Sequence, residues 1–256
     1  MTAESKEIVV QIANSVATVT ISNPKKRNPI GTPQAQAIVD ALEALDRDPA
    51  VRAIILTGAG EAFSAGGDLD EFLATIDSGA TSLWDTGAAW QRLFSIVPTL
   101  SKPVIARVTG PAMAGGCGLV ASCDFAYASD TAVFATPEIK IGLFALLILP
   151  MLIRRIGERH ALELVLAGEP IGADEARRMG IINALYPRNE LDAAVDALAS
   201  KLVRIPPATM ARSKHAFRTI AAAGFSEGME IARGIRGAFM GSNELKEGIS
   251  RFFKQG

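Results

Sequence analysis

At 256 residues the chain is long enough to bury a sizeable core, as one large domain or two small ones. Its 49% hydrophobic and 21% charged residues, with a formal net charge of −1, are those of an ordinary globular protein. That balance excludes a polyelectrolyte binder and argues against a nucleic-acid partner. The one tight basic cluster, Lys25-Lys26-Arg27, suits a single small anionic ligand.

The opening MTAESKEIVV is polar and acidic, without the basic-then-apolar pattern of an export signal. EIVVQIA and VATVTIS alternate in the β manner around Asn14-Ser15 and predict a hairpin. Thr32 then reads as an N-cap with Pro33 at the first helical position, and Ile38, Leu42 and Leu45 recur at helical spacing until Asp48-Pro49. AIILTG (53–58) and VIARVTG (104–110) are continuously apolar, as strands covered on both faces are. Each is followed by a glycine-bearing loop and then a helical pattern, where α/β folds place ligands.

FAYAS (125–129) and AVFAT (132–136) are short strand candidates. The longest uncharged run, IGLFALLILPMLI (141–153), is well below the roughly 20 residues that span a bilayer, so an internal helix or a pocket wall is expected and a membrane is not. From Arg159 the pattern is mostly helical, with Gly180 closing ADEARRM and a brief strand in IINALYP. The last fifty residues are helical and carry Phe217, Phe225, Met229, Ile231, Ile235 and Phe239, a stripe suited to packing on another subunit.

Three stretches hold the candidate chemistry: GEAFSAGGDLDEF (60–72), AMAGGCGLVASCD (112–124) and FATPEIKIG (134–142). With NPKKRN near the start and KPVIARVTG before the second stretch, they resemble the enoyl-CoA hydratase/isomerase family, the crotonase superfamily. The resemblance runs in order over about Val16 to Pro187. It implies an α/β crotonase-like (ClpP/crotonase) spiral of ββα units with a C-terminal helical trimerisation region. The core with the acyl-CoA site would span 1–200 and the helical oligomerisation region 201–256.

The same resemblance implies that the backbone amides of Gly67 and Gly115 hold a thioester oxygen as negative charge develops on it, with Glu138 carrying the proton. Substrate contacts would come from Lys25, Lys26 and Arg27 at the phosphates and adenine end of coenzyme A, and from the Ala65 carbonyl at the adenine. Gly66, Gly118 and Leu146 would border the acyl part, and Asp68 would brace its loop. The partner is then an acyl-CoA, in a homotrimer or homohexamer. No cofactor is implied beyond coenzyme A as part of the substrate, and no metal.

The chain departs from the family at one decisive position: hydratases carry a glutamate where this sequence has Gly118. A paired acid and base needs two titratable groups, whereas one carboxylate suffices to move a proton between carbons two apart. Isomerisation is therefore favoured over hydration. Decarboxylation, thioester hydrolysis and a non-catalytic acyl-CoA-binding scaffold stay open. Each glycine also has a bland reading as a tight turn or close helix packing, and Glu138 as a solvated glutamate paired with Lys140 or Arg154.

A second departure is GLFALLILPMLIRRIG, where the family has a proline and several glycines; it rebuilds the acyl side with Leu146, Leu147, Ile148 and Leu149. The C-terminal RFFKQG likewise reduces a basic ending that meets coenzyme A in the family. Cys117 and Cys123 lack further ligands at zinc spacing and are expected as buried reduced thiols in a cytoplasmic protein. His160 and His215 read as surface or packing residues, and Ser64 and Ser122 lack a neighbouring histidine. Asp85, in the segment bordering the acyl pocket, is the weaker candidate for a second carboxylate.

Overall fold

A computed structural model gives the fold, describing residues 7–76 and 78–255. The first half comprises β1 (Ile8–Ala13), β2 (Val16–Ile21), β3 (Pro29–Ile30), α1 (Thr32–Arg47), β4 (Ala53–Gly58), β5 (Gly66–Gly67), α2 (Leu69–Ile76), α3 (Ala80–Thr99), β6 (Val104–Val108), β7 (Ala112–Met113) and α4 (Gly115–Ser122). There follow β8 (Phe125–Ser129), β9 (Val133–Ala135), α5 (Leu149–Ala167), β10 (Ile171–Gly172), α6 (Ala173–Met179), β11 (Ala184–Tyr186), α7 (Leu191–Leu202), α8 (Pro207–Ala222), α9 (Phe225–Met240) and α10 (Asn243–Gln255).

A six-stranded sheet runs in the order β1-β2-β4-β6-β8-β11. Only the β1–β2 hairpin is antiparallel. Its turn residues Asn14 and Ser15 both adopt positive φ (52° and 63°), which matches the twist of the flanking strands. Every residue of β4 is buried, as its unbroken apolar run requires. One face of the sheet carries the main core, including Ala17, Val19, Ile54, Leu56 and Ala106. On the other face α7 lays Leu191, Val195 and Ala199 over Ile55 and Ile105, each large side chain stabilising by about 1.5–3 kcal/mol.

Two small sheets hold the loops above the ends of these strands. One is β10-β9-β7 and the other is β3-β5. The isolated Ser64–Ala112 bridge ties the first glycine loop to the strand leading into the second.

Two boundaries differ from the sequence reading. The cap of α1 is Gly31 rather than Thr32: Gln34 Oε1 accepts the Gly31 amide (3.1 Å) and Glu71 Oε2, from α2, accepts that of Thr32 (2.7 Å). The run 141–153 is not one helix, because α5 begins at Leu149 with Pro150 in its first turn, ten residues before Arg159, and bends at Gly157 (φ 74°).

The C-terminal helices are pinned through a part-buried ion cluster. Asp124, just beyond α4, meets Lys214 Nζ at 2.5 Å and Arg218 Nη2 at 3.4 Å, both on α8, and accepts the Val104 amide at 2.8 Å. Outside that anchor part of the apolar stripe faces solvent: Phe217, Phe225 and Met229 are exposed, whereas Ile231, Ile235 and Phe239 are half-buried. Among the described residues no helix is long and apolar enough to cross a membrane.

Candidate active site

Three loops meet at the first turn of α4. The 64–67 loop reaches it through Ser64, whose carbonyl accepts the Met113 amide (2.9 Å). Ser64 Oγ donates to the Asn28 carbonyl (2.8 Å) and accepts the Gly66 amide (3.1 Å), so the hydroxyl braces the loop instead of acting as a nucleophile. The third loop arrives on β9, parallel to β7, where the Ala135 carbonyl accepts the Ala114 amide at 2.8 Å. Glu138 lies three residues further on, in a 3-10 turn over Pro137–Ile141.

The amide directions follow from this frame. The amides flanking Gly67 are occupied, that of Gly66 by Ser64 Oγ and that of Asp68 by the Ile30 carbonyl (3.0 Å). Gly115 is the first residue of α4, and the first intrahelical bond to its turn is Gly118 N–H to the Ala114 carbonyl (3.1 Å). The amides ahead of it have no intrahelical acceptor and sit at the positive end of the helix dipole. Ala114 is held at φ 51°, ψ −123°, a conformation rarely taken by a residue with a side chain.

Close approach explains the glycines. A β-carbon on Gly66 (φ 90°) would stand 2.6 Å from Ala114 Cβ and 3.2 Å from the Gly115 nitrogen, while one on Gly67 would meet the Phe72 ring at 2.5 Å. One on Gly115 would touch Trp90 at 3.0 Å. Phe72, Trp90 and Phe94 form a connected aromatic wall with centroid separations of 6.3 and 5.7 Å. A peptide donor at the start of α4, over an apolar wall, can receive a carbonyl oxygen as it gains negative charge, such a donor being worth about 3 kcal/mol.

Glu138 is the titratable group of this arrangement. Its Oε2 is buried and has no hydrogen-bond partner among the described residues. Burial lifts its carboxyl above the usual carboxylate range, opposed only by a backbone hydrogen bond. The solvated pairing with Lys140 is absent, since Lys140 Nζ is engaged by Glu169 at 2.8 Å. The charge of Glu138 also reaches Cys117 in the first turn of α4; that thiol is pushed up to about 12, first by burial and then by Glu138. Cys123 is likewise buried and its thiol pushed up to about 12, so burial disfavours the reactive thiolate of both cysteines.

The remaining candidates divide clearly. Ala65 is joined to the basic cluster, its amide donating to the Arg27 carbonyl at 2.8 Å. Lys25, Lys26 and Arg27 are exposed, and Lys26 pairs with Asp70 at 3.1 Å. Asp68 caps α2 by accepting the Asp70 amide at 2.9 Å. Leu146 is 64% exposed, and the side chain that meets Gly118 is instead Ile148, 3% exposed. Asp85 is exposed and lies five residues before Trp90 on α3, about 140° around the helix from it. Sequence reasoning missed Phe94, whose apolar character gave no sign that it lies against these glycines; Ile148 was expected on the acyl side only as one of the run from Leu146 to Leu149.

Two open clefts lie apart from these loops, one of about 410 Å³ lined by Thr20, Arg107 and Arg188, the other of about 460 Å³ lined by Asp46, Pro98 and Arg218. Neither is lined by Gly67, Gly115 or Glu138. The loops, not the clefts, gather the chemistry.

Comparison with known proteins agrees with this geometry. Residues 11–256 match the family model described as enoyl-CoA hydratase/isomerase. The chain is 32% identical to hydroxycinnamoyl-CoA hydratase-lyase of Pseudomonas fluorescens over 218 residues, covering 83% of this chain and 78% of that one. It is 31% identical to 2,3-dehydroadipyl-CoA hydratase of Escherichia coli over 256 residues, covering 97% and 96%. The crystal structure of an enoyl-CoA hydratase from Mycobacterium smegmatis superposes with a TM-score of 0.92 at 31% identity, covering 97% of this chain and 96% of that one. The fold is thus the crotonase fold, and the chain belongs to the enoyl-CoA hydratase/isomerase family.

Proposed function

We propose that the chain moves the double bond of an enoyl-CoA thioester, with Glu138 as the proton-transfer group. Glu138 takes a proton from C2 of a 3-enoyl thioester, and the electron pair passes onto the thioester oxygen between the Gly67 and Gly115 amides. The C3–C4 π bond then becomes C2–C3 as Glu138 returns the proton to C4. Atoms and charge balance without any further reactant. Lys25, Lys26 and Arg27 take the phosphates and adenine end of coenzyme A, aided by the Ala65 carbonyl.

The observation carrying this reading is the buried, unpartnered Glu138 Oε2 beside a helix turn in which residue 118 bears no carboxylate. A carboxylate lifted by burial is a stronger base than a solvated one and is matched to abstraction next to a thioester. Several relatives are named as hydratases; at residue 118, where the two-carboxylate route places its second group, this chain has glycine. Assembly as trimers or hexamers through the exposed stripe of α8 and α9 belongs to the same proposal.

The test is Glu138→Gln, with 3-enoyl-CoA isomerisation followed by the absorbance of the conjugated thioester and coenzyme A affinity by calorimetry. Turnover is expected to fall by at least about 10²-fold with affinity nearly unchanged. Equal inertness of wild type and variant, with coenzyme A still bound, would instead establish an acyl-CoA-binding scaffold.

A further inference from the structure

Gly118 is an odd residue for the middle of a buried helix turn. Glycine there is about 1 kcal/mol worse than alanine for helix formation, and the φ of Gly118 is not positive, so no backbone requirement explains it. The explanation is the space it leaves. A β-carbon at 118 would stand 2.6 Å from Ile148 Cβ, closer still to Ile148 Cγ2, and 3.4 Å from Phe94 Cε1. The volume that any side chain at 118 would enter is already filled.

Ile148 cannot easily yield that volume. It is 3% exposed and caps α5, its carbonyl accepting the Leu152 amide at 3.1 Å, with Pro150 fixing the turn that follows. Gly118 is fixed from its own side, by its amide bond to the Ala114 carbonyl and by the Ser122 hydroxyl donating to its carbonyl at 2.8 Å. The two residues are 30 apart in sequence, yet each determines what the other can be.

We infer that Ile148 is a specificity-determining residue: its side chain stands in for the one that position 118 lacks, closing the α4 wall to a second carboxylate and to the water it would hold. This rests on the isomerase reading and deepens it, since a dry wall keeps water from adding to C3 of the conjugated 2-enoyl product. Hydration needs a water oxygen bonded to C3 and a proton delivered to C2 as the C2–C3 π bond is lost, and Ile148 leaves no room for the group that would hold that water.

The test has two arms. In the first, Gly118→Ala, Ile148→Ala and the double variant are melted. The double variant is expected to lose less than the two single losses summed, by about 3 °C or more, because the new methyl fills the vacated space. Additive losses would overturn the inference. In the second arm, hydration of a 2-enoyl-CoA is followed by loss of the conjugated absorbance and by the mass of added water. Gly118→Glu alone is expected to hydrate no better than wild type, whereas Gly118→Glu with Ile148→Ala should gain at least about tenfold.

Equal hydration by both variants would overturn the inference, as would no gain in a double variant that still binds coenzyme A and isomerises. A wild type that neither binds coenzyme A nor isomerises would refute the functional reading instead. The melting arm would then still decide the packing claim on its own.

Discussion

Replacing Gly66 with alanine strikes both glycine loops with a single methyl group. The residue sits at φ 90°, and its new β-carbon would lie 2.6 Å from Ala114 Cβ, 2.7 Å from the Met113 carbonyl oxygen and 3.2 Å from the Gly115 nitrogen. Two of those three atoms are backbone and cannot rotate away. Positive φ in a residue with a side chain costs about 1–3 kcal/mol, and forcing a methyl into a filled space costs about 1–3 kcal/mol more. Gly157 isolates the first part, because its φ is 74° and nothing lies within 4 Å of its β-position. Gly157→Ala should therefore show the conformational cost alone, and Gly66→Ala about 1–3 kcal/mol beyond it, readable as urea midpoints at equal slope. Relief of the collision can come only by parting the loops that carry the Gly67 and Gly115 amides, so kcat should fall by about 10²-fold, as for loss of one oxyanion donor. A Gly66→Ala protein as stable as Gly157→Ala, with turnover intact, would refute the convergence of the two loops.

Glu138→Gln should also change stability in a pH-dependent way. With its carboxyl held above the ordinary carboxylate range by burial, the native state favours the protonated form; that contribution is full below the unfolded pKa and is lost as pH rises through the folded value. The variant should thus melt higher than wild type near neutrality and converge with it as pH drops below about 4, in a fluorimetric pH series; a constant or reversed difference would contradict a buried unpaired carboxylate. Asp124→Ala strands Lys214, whose side chain is 9% exposed, and should cost about 3–5 kcal/mol, measured by chemical denaturation. If the cluster is only superficial, that loss will stay under about 1 kcal/mol.

What could be read from the sequence was what is local. β4 announces itself because an interior parallel strand must be apolar on both faces, and the β1–β2 turn because Asn14-Ser15 readily takes two left-handed residues. The glycine pairs and Glu138 were legible as motifs with their spacing. Tertiary decisions were not: the amide of Thr32 is capped by Glu71 from another helix, which no local pattern encodes. Within the run from Leu146 to Leu149, only the three-dimensional packing distinguishes exposed Leu146 from buried Ile148. Likewise the start of α5 was masked by uniform hydrophobicity, since periodicity is invisible where nearly every residue is apolar.

The ion cluster at Asp124 gives α4 a second duty. One end of this eight-residue helix presents the Gly115 amide, and two residues past the other end Asp124 is moored to α8. The helix is in effect a short strut between the glycine loops and the C-terminal helices. Through Lys214 and Arg218, α8 bears on the far end of the helix that begins at Gly115, so the proposed oxyanion site and the C-terminal helices share one element.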